Sequence, residues 1–376
     1  FGSRFCADSW PEVGLEARML TSKCFTTSIS TASHAPAQSI AAALRSKQVQ
    51  RLSVQSASSS TFRQARGVAQ ALGPAFVLGW QAALCRKRQN RGTAFAAAAD
   101  GYSEADQVQR TAALKKAKVP RYLNIEDVYK PASFKGKRVL LVGGNRGLGF
   151  ELVKALVDAG ADTITTTRKS STALDELAGQ KGVSLLVLEG ADMQDLASIR
   201  TMVSQIDKPL DYVIHSAGYF MEEKETLKSL DFSEEIKQID ICALAPLRVV
   251  SELYKASKLK ETKVAIISSQ AGSAAWRTTQ NKDEGGDYGH HMSRAACNMA
   301  GVLMSEELKG DKIPVVLLHP GFNRTEMTAK YSDIWDIEGA VEPAIGAKRV
   351  LHEVSMISMD TTGKFINCED GLRIPW

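Results

Sequence analysis

A glycine-rich loop in the middle of the chain carries residues whose types and spacing suit phosphate chemistry. Gly143, Gly147 and Gly149 stand directly after the short apolar run Arg138–Val142, and apolar residues then recur at helical spacing. Glycine lets a backbone turn tightly against a pyrophosphate, and the N-terminus of the following helix offers free N–H groups and a positive dipole end. The pattern of strand, glycine turn and helix predicts a dinucleotide-binding loop. Its residues are Gly143, Asn145, Arg146, Gly147, Leu148 and Gly149.

Cations follow the second predicted strand and indicate which dinucleotide the loop would hold. That strand ends at Thr165–Thr167 and is followed by Arg168 and Lys169, and Arg146 stands in the glycine loop itself. In dinucleotide folds an acidic residue at this place binds the ribose hydroxyls of NAD, whereas a basic one accommodates the 2′-phosphate of NADP. Charge-assisted hydrogen bonds to phosphate are strong. The sequence therefore predicts NADP(H) as cofactor.

The elements that must position these residues alternate between strands and helices from residue 135 onwards. This alternation predicts an α/β fold, a single doubly wound parallel sheet of about seven strands with helices on both faces, preceded by a long and disordered N-terminal leader. The longest helices are expected at Glu234–Ser257 and His290–Leu308. The expected strands are Arg138–Val142, Thr163–Thr167, Ser184–Leu188, Asp211–His215, Lys263–Ser268, Pro314–His319 and one near Lys364–Asn367.

The charge of the chain is unevenly distributed. Residues 17–99 contain eleven Lys or Arg and neither Asp nor Glu, and the first 99 residues are net +9 while the remainder is net −4. An acid-free leader rich in hydroxyl and basic residues is typical of an organelle transit peptide. We therefore predict a removable leader over residues 1–100, a linker over 101–134 with one short helix, and a cofactor-binding domain over 135–376. The expected destination is the plastid stroma, with the mitochondrion as the alternative.

The same distribution bears on partners. Because the basic residues belong to the leader, a nucleic-acid surface on the folded part is not expected. Gly67–Cys85 is an uncharged run of 19 residues, long enough to span a membrane, but its glycines, proline and glutamines favour a role within the targeting segment. Membrane association after processing is not expected. Neither the spacing of the six cysteines nor the adjacent His290 and His291 predicts a metal site.

From residue 135 to the C-terminus the chain resembles the short-chain dehydrogenase/reductase family. The glycine spacing is similar to that family's loop, and three further segments match its pattern: Asp192-Met193, His215–Gly218 and Pro320–Thr325. The resemblance implies that all three segments contact the cofactor. Asp192-Met193 would contact the adenine, His215–Gly218 closes the fourth strand, and Thr325 in the third segment would hold the nicotinamide amide. The residues concerned are Asp192, Met193, Ala217, Gly218, Pro320, Gly321 and Thr325.

The family's catalytic residues are a serine, a tyrosine, a lysine four positions later and an asparagine, and here only the serine is retained, as Ser269. The segment Ser293–Ala296 resembles the family's Ser-Lys-Ala-Ala, which places Arg294 at the lysine and His290 at the tyrosine. Cys242 falls at the asparagine. His290 and Arg294 are four residues apart and would share a helix face. The charge of Arg294 should lower the pKa of His290.

Two functions remain open from the sequence. In the first, the protein is an NADP(H)-dependent oxidoreductase of a small carbonyl or alcohol substrate, with His290 and Arg294 replacing tyrosine and lysine. In the second, it is a catalytically inactive sensor or scaffold that binds NADP(H) on the same fold. The resemblance also implies a homo-oligomer formed through the two long helices. Trp276, Tyr219, Phe220, Met221 and Phe322 are expected to line an apolar pocket beside the nicotinamide.

Overall fold

The structure, a computed structural model, describes residues 101–280 and 285–376. A sheet of seven strands, all pairs of neighbours parallel, runs through this part in the order β3-β2-β1-β4-β5-β6-β7. The strands are β1 Arg138–Val142, β2 Asp162–Thr166, β3 Leu185–Leu188, β4 Leu210–His215, β5 Leu259–Ile267, β6 Val315–His319 and β7 Phe365–Asn367. The predicted doubly wound sheet is confirmed.

Helices cover both faces of the sheet in the described ranges. They are α1 Gln107–Lys116, α2 Pro120–Leu123, α3 Gly147–Asp158, α4 Thr172–Ala178, α5 Leu196–Ser204, α6 Phe232–Ile239, α7 Ala245–Lys255, α8 Ala274–Arg277, α9 Tyr288–Glu307 and α10 Pro343–Ser355. Alternate residues of β1 show the layering: Leu140 and Val142 join the apolar core on one face, while Val139 and Leu141 join the core on the other. Strand order reverses at β1 and β4, and ligands bind at such a switch point.

The long helix expected at Glu234–Ser257 is interrupted. A π-helical turn, Asp240–Leu244, separates α6 from α7, and Pro246 stands in the first turn of α7. Proline has no N–H, so it cannot donate to the carbonyl of Cys242 four residues earlier, and the helix widens locally to find other partners. Cys242, within this turn, is buried and contacts the backbone of Tyr219.

The segment predicted as a linker is folded onto the sheet domain. Its helix, expected around residues 106–118, is α1, and Asp106 caps it by accepting from the Gln109 amide. Arg110 and Phe134 from this segment are almost fully buried, and the Ser103 amide donates to the Arg373 carbonyl at 2.8 Å. The N-terminal segment, residues 101–134, therefore packs against residues near the C-terminus.

The leader, including the uncharged run Gly67–Cys85, lies outside the described residues. Among the residues that are described, no helix has both the length and the apolar composition needed to cross a membrane. Within those same ranges, no cluster of three or more His, Cys, Asp or Glu side chains could hold a metal ion. The boundaries proposed for leader, linker and domain stay predictions.

Candidate active site

One cavity of about 1110 Å³ lies at the carboxyl ends of the strands. Its lining includes all of the residues predicted from the sequence for cofactor binding and for catalysis. The fold thus brings together groups that are far apart in sequence, from the glycine loop at Gly143 to Thr325. Their individual roles stay predictions, and the geometry of each shows what it could do.

The glycine loop forms a close-packed cradle between β1 and α3. Gly143 has a φ of +88°, and a Cβ there would lie 2.7 Å from the Ala217 Cα. A Cβ on Gly149 would lie 2.0 Å from the Gly143 carbonyl oxygen. No side chain fits at either position, so both glycines are required for this loop to fold against α3. The buried side-chain oxygen of Asn145 lacks a hydrogen-bond partner in the described structure. The cradle fits a pyrophosphate.

The predicted cations stand at one end of this cradle. Arg168 and Lys169 follow β2, are exposed, and line the cavity. Within the described ranges neither forms an ion pair, and the Thr167 hydroxyl orients their segment by donating to the Lys169 carbonyl at 2.7 Å. Arg146 instead pairs with Glu326 at 2.8 Å. Arg168 and Lys169 are thus available to an anionic group, whereas Arg146 would first have to leave Glu326.

Ser269 is held at the end of β5 with its hydroxyl free to donate. It caps a short 3₁₀ turn, Gln270–Gly272, in which its Oγ accepts from the Ala271 amide at 3.2 Å. Asn298 on α9 secures the turn, since its side-chain amide donates to the Gly272 carbonyl at 3.2 Å. Because the oxygen already accepts one hydrogen bond from the backbone, the hydroxyl proton can be directed to a molecule in the cavity.

His290 lies on the first turn of α9 and stacks on Phe220, with ring centroids 4.1 Å apart. Its Nδ1 is buried and has no partner among the described residues. Burial lowers the pKa of His290 well below its ordinary value, and the nearby Arg294 charge lowers it further. The predicted lowering is confirmed, although burial is the larger cause. The imidazole is neutral at pH 7, and Nε2 is the nitrogen through which it could exchange a proton with a cavity ligand.

The adjacent His291 is committed to structural hydrogen bonds. One ring nitrogen, Nδ1, lies 2.8 Å from the Ala271 carbonyl and must donate to it, while Nε2 lies 2.9 Å from the Arg277 guanidinium and must accept. Both nitrogens are therefore used, and burial lowers the pKa of this group as well. Of the two neighbouring histidines, only His290 is suited to proton transfer.

Arg294 is buried one helical turn after His290. Its guanidinium donates to the Ile267 carbonyl at 3.0 Å and lies directly beneath Gly218, where a Cβ would be 2.8 Å from Nη2. A side chain at Gly218 would therefore force the end of this arginine to move. The position, between the ends of β4 and β5 and against the cavity, suits a cationic clamp for hydroxyl groups. Arginine does not release a proton, so it is no part of a relay.

Two further residues behave differently from the expectation of the family pattern. Cys242 accepts from the Tyr219 amide at 3.4 Å and donates its S–H to the Tyr219 carbonyl at 3.3 Å. The Cys242 side chain thus both accepts from and donates to the backbone of Tyr219. Tyr288, two residues before His290, is not among the residues that line the cavity.

A segment after β6 that the sequence did not single out lines the cavity and is tied to two loops. The 3₁₀ segment Glu326–Ile334 carries Lys330, whose ammonium group donates to Asp287 at 3.0 Å and to the Met221 carbonyl at 2.9 Å. The same group lies 3.6 Å from the centre of the Phe220 ring, on which His290 stacks. No motif signals these contacts, because they join a residue after β6 to two separate loops.

The expected aromatic pocket is formed in part. Tyr219, Phe220 and Phe322 line the cavity, whereas Met221 and Trp276 do not. Trp276 is 4 % exposed and packs under the Arg110 guanidinium, 5.5 Å from the ring centre. The expectation for Trp276 was wrong because the N-terminal segment covers it, and sequence spacing gave no sign of that cover.

Comparisons with known proteins agree with this geometry. The sequence profile of the short chain dehydrogenase family matches residues 137–334. A 1-hydroxy-2-glutathionyl-2-methyl-3-butene dehydrogenase of Rhodococcus sp. (strain AD45) is 28 % identical over 241 residues, which cover 63 % of this chain and 99 % of that protein. The C-signal protein of Myxococcus xanthus is 31 % identical over 170 residues, 45 % of this chain and 93 % of that protein.

Solved structures share the fold. The carbonyl reductase Sniffer of D. melanogaster aligns with a TM-score of 0.56 at 22 % identity, covering 64 % of this chain and 100 % of that one. The NADPH-bound carbonyl reductase from chicken fatty liver aligns with a TM-score of 0.58 at 22 % identity, covering 69 % and 98 %. With the glycine cradle and the cavity at the strand ends, the profile match shows that the chain belongs to the short-chain dehydrogenase/reductase family and is an oxidoreductase of that type.

Proposed function

We propose that this protein transfers hydride between NADP(H) and a small carbonyl or alcohol substrate, with His290 and Arg294 in the places of the family's tyrosine and lysine. A single observation carries the proposal: one cavity joins the glycine cradle and the free cations to Ser269, His290 and Arg294. The catalytically inactive alternative would need the same cavity to bind the cofactor without presenting a proton acceptor, and His290 presents one.

The residues of the cavity fit NADP(H) rather than NAD(H). Gly143 and Gly149 leave room for the pyrophosphate, and the end of β2 offers Arg168 and Lys169 with no acidic residue beside them. Two relatives in fold, the chicken fatty liver reductase and a Burkholderia multivorans protein, are described as bound to NADPH and to NADP. When bound, the cofactor supplies or accepts the hydride at the substrate carbon.

The protein's own residues orient the substrate and move a proton. The Ser269 hydroxyl donates a hydrogen bond to the substrate oxygen. Arg294, beneath Gly218, would bind the ribose hydroxyls of the cofactor. Neutral His290 accepts the proton of an alcohol at Nε2, because Nδ1 is buried. Its ring is held by stacking on Phe220, against which the Lys330 ammonium group also packs. Because burial lowers its pKa, the imidazole is present as the neutral base that alcohol oxidation needs, and not as the protonated form that carbonyl reduction would need.

The low pKa of His290 predicts an unusual pH profile. A histidine at its ordinary pKa of 6.5 would become protonated below that pH, and alcohol oxidation would slow with it. Because burial and Arg294 lower this pKa, the base form persists, and kcat/KM for alcohol oxidation with NADP⁺ should stay flat from pH 8 to about pH 5.5. A steady-state profile over this range tests the proposal, and an inflection near pH 6.5 would refute it.

We further propose a homo-oligomer through α7 and α9. Ile236 on α6, Leu244 in the π-helical turn and Leu247 on α7 are 67, 42 and 40 % exposed, and Met299 and Leu303 on α9 are 60 and 62 % exposed. Contiguous exposed apolar side chains mark protein contacts. Light scattering of the purified protein should show a particle of at least two chains. Leu303→Asp should reduce it to one, whereas Leu123→Asp, at an exposed position on α2, should not.

For residues 1–100 we propose a transit peptide that directs the protein to a plastid. The support is compositional: residues 17–99 are free of acids and rich in hydroxyl and basic residues, and acids resume at Asp100. Mass spectrometry of the native protein should find a mature N-terminus near residue 100. Recovery of intact peptides from residues 28–63 would contradict the proposal.

A further inference from the structure

Arg110, from the segment that precedes the family domain, is buried at the centre of a polar cluster. The side chain is 1 % exposed, and Glu369, which pairs with it at 3.0 Å, is completely buried. The Gln107 side chain joins the cluster by donating to Glu369 at 3.1 Å. The charge of Arg110 holds the pKa of Glu369 below its ordinary value against the opposing effect of burial. Buried charges of this kind persist only when they are paired.

Each member of this cluster touches a different loop of the catalytic cavity. Arg110 Nη2 donates at 2.9 Å to the side-chain oxygen of Gln270, the residue after Ser269. Glu369 packs beneath Gly321, where a Cβ would meet its Cγ at 2.7 Å. Gln107 donates to the Glu338 carbonyl at 3.1 Å. Gln270, Gly321 and Glu338 all line the cavity.

We propose that Arg110 is a positioning residue for the reaction, which couples the N-terminal segment to the serine loop and to the Pro320-Gly321 turn. The proposal rests on the proposed function. Arg110 lies outside residues 137–334, the part that matches the family profile, so this chain adds a support to the family's site. The planar fork of arginine allows Nε to bind Glu369 while Nη2 binds Gln270. A lysine has one nitrogen on a flexible stem, so it keeps the charge beside the carboxylate but cannot reproduce the rigid geometry in which Nε and Nη2 donate from two points of one plane.

Arg110→Lys therefore keeps a positive charge beside Glu369 but removes the planar group that contacts Glu369 and Gln270 together. In the full chain, we expect kcat to fall about tenfold while KM for the substrate and the affinity for NADPH change less than about threefold, because the serine loop loses its alignment. Hydrogen exchange provides a readout that is independent of turnover. The amides of Gly272 and Ser273, which close the serine loop on Ser269 and Gln270, should exchange about tenfold faster in the variant.

The matched control is Arg121→Lys. Arg121 comes from the same N-terminal segment and forms a mostly buried ion pair with Glu353 on α10, away from the cavity lining. The Arg121→Lys variant should lower thermal stability about as much as Arg110→Lys does, yet leave kcat and the exchange of the Gly272 and Ser273 amides unchanged. If both variants lower kcat alike, or if Arg110→Lys leaves the exchange of these amides unchanged, Arg110 is merely structural and the proposal fails.

Two other outcomes are also decisive. If the wild type shows no turnover, the proposed function fails while the exchange comparison still decides whether Arg110 positions the loop. If Arg110→Lys does not fold, Gln270→Leu removes the contact between Arg110 and Gln270 from its other end and leaves the Arg110–Glu369 pair intact. Faster exchange of Gly272 and Ser273 in Gln270→Leu would support the proposal, and unchanged exchange would overturn it.

Discussion

His290→Ala should lower kcat by about 10²- to 10⁴-fold, the range over which a positioned acid or base contributes to proton transfer. Three histidines line the cavity; both nitrogens of His291 are engaged in hydrogen bonds and both nitrogens of His319 are buried, so we expect His290 to accept the proton from the substrate. NADPH affinity should change little, because the glycine cradle and Arg294 are untouched. Steady-state kinetics and calorimetry on the same preparation measure the two effects.

Tyr288→Phe is the matched control for this substitution. Tyr288 lies on the same helical turn of α9 but outside the cavity lining, so removal of its hydroxyl should leave kcat within about twofold. If Tyr288→Phe abolishes turnover and His290→Ala does not, the tyrosine is the acid or base after all and the assignment to His290 is wrong.

Replacement of both Arg168 and Lys169 by alanine should weaken NADPH binding about 10- to 100-fold and leave NADH binding nearly unchanged. The two side chains are exposed and unpaired within the described ranges, so their contribution is that of charge-assisted hydrogen bonds partly screened by solvent. The loss should shrink as ionic strength rises. Calorimetric titration with both nucleotides at two salt concentrations gives the comparison.

The double variant Lys115→Ala with Lys116→Ala controls for net charge. These cations are exposed on α1 and lie away from the cavity, so their removal should leave the affinity for both nucleotides unchanged. A wild type that binds NADH as tightly as NADPH would contradict the proposed preference.

Much of the fold could be predicted because each strand is a short apolar run bounded by turn residues. Arg138–Val142 matches β1 as observed, and the other strand limits differ by a few residues. The largest difference is β5, which begins at Leu259 where Lys263 was expected. Residues 259–262 read as a polar turn, and the segment is recruited by pairing of Leu210 with Leu259 across a register shift.

The residues of the candidate site could be placed because the motifs are local, but the contacts between them could not. Arg110 and Gln107 look like surface residues of a polar segment, but both are buried around the carboxylate of Glu369, which lies 259 residues after Arg110. Lys330 likewise finds Asp287 across a distance of 43 residues. Such pairings depend on which loops the strand order of the sheet brings together, and the spacing of residues along the chain does not show which loops become neighbours.

The central claim is that the cavity both binds NADP(H) and catalyses hydride transfer with His290 as the proton acceptor. Parallel measurement of NADPH binding and of turnover against a panel of aldehydes, ketones, quinones and their alcohols, from about pH 5 to 10, tests it most directly. We expect tight NADPH binding and measurable turnover that His290→Ala abolishes. Tight binding of NADPH with no turnover of any carbonyl or alcohol at any pH in this range would contradict the claim and identify a cofactor-binding protein without catalytic activity.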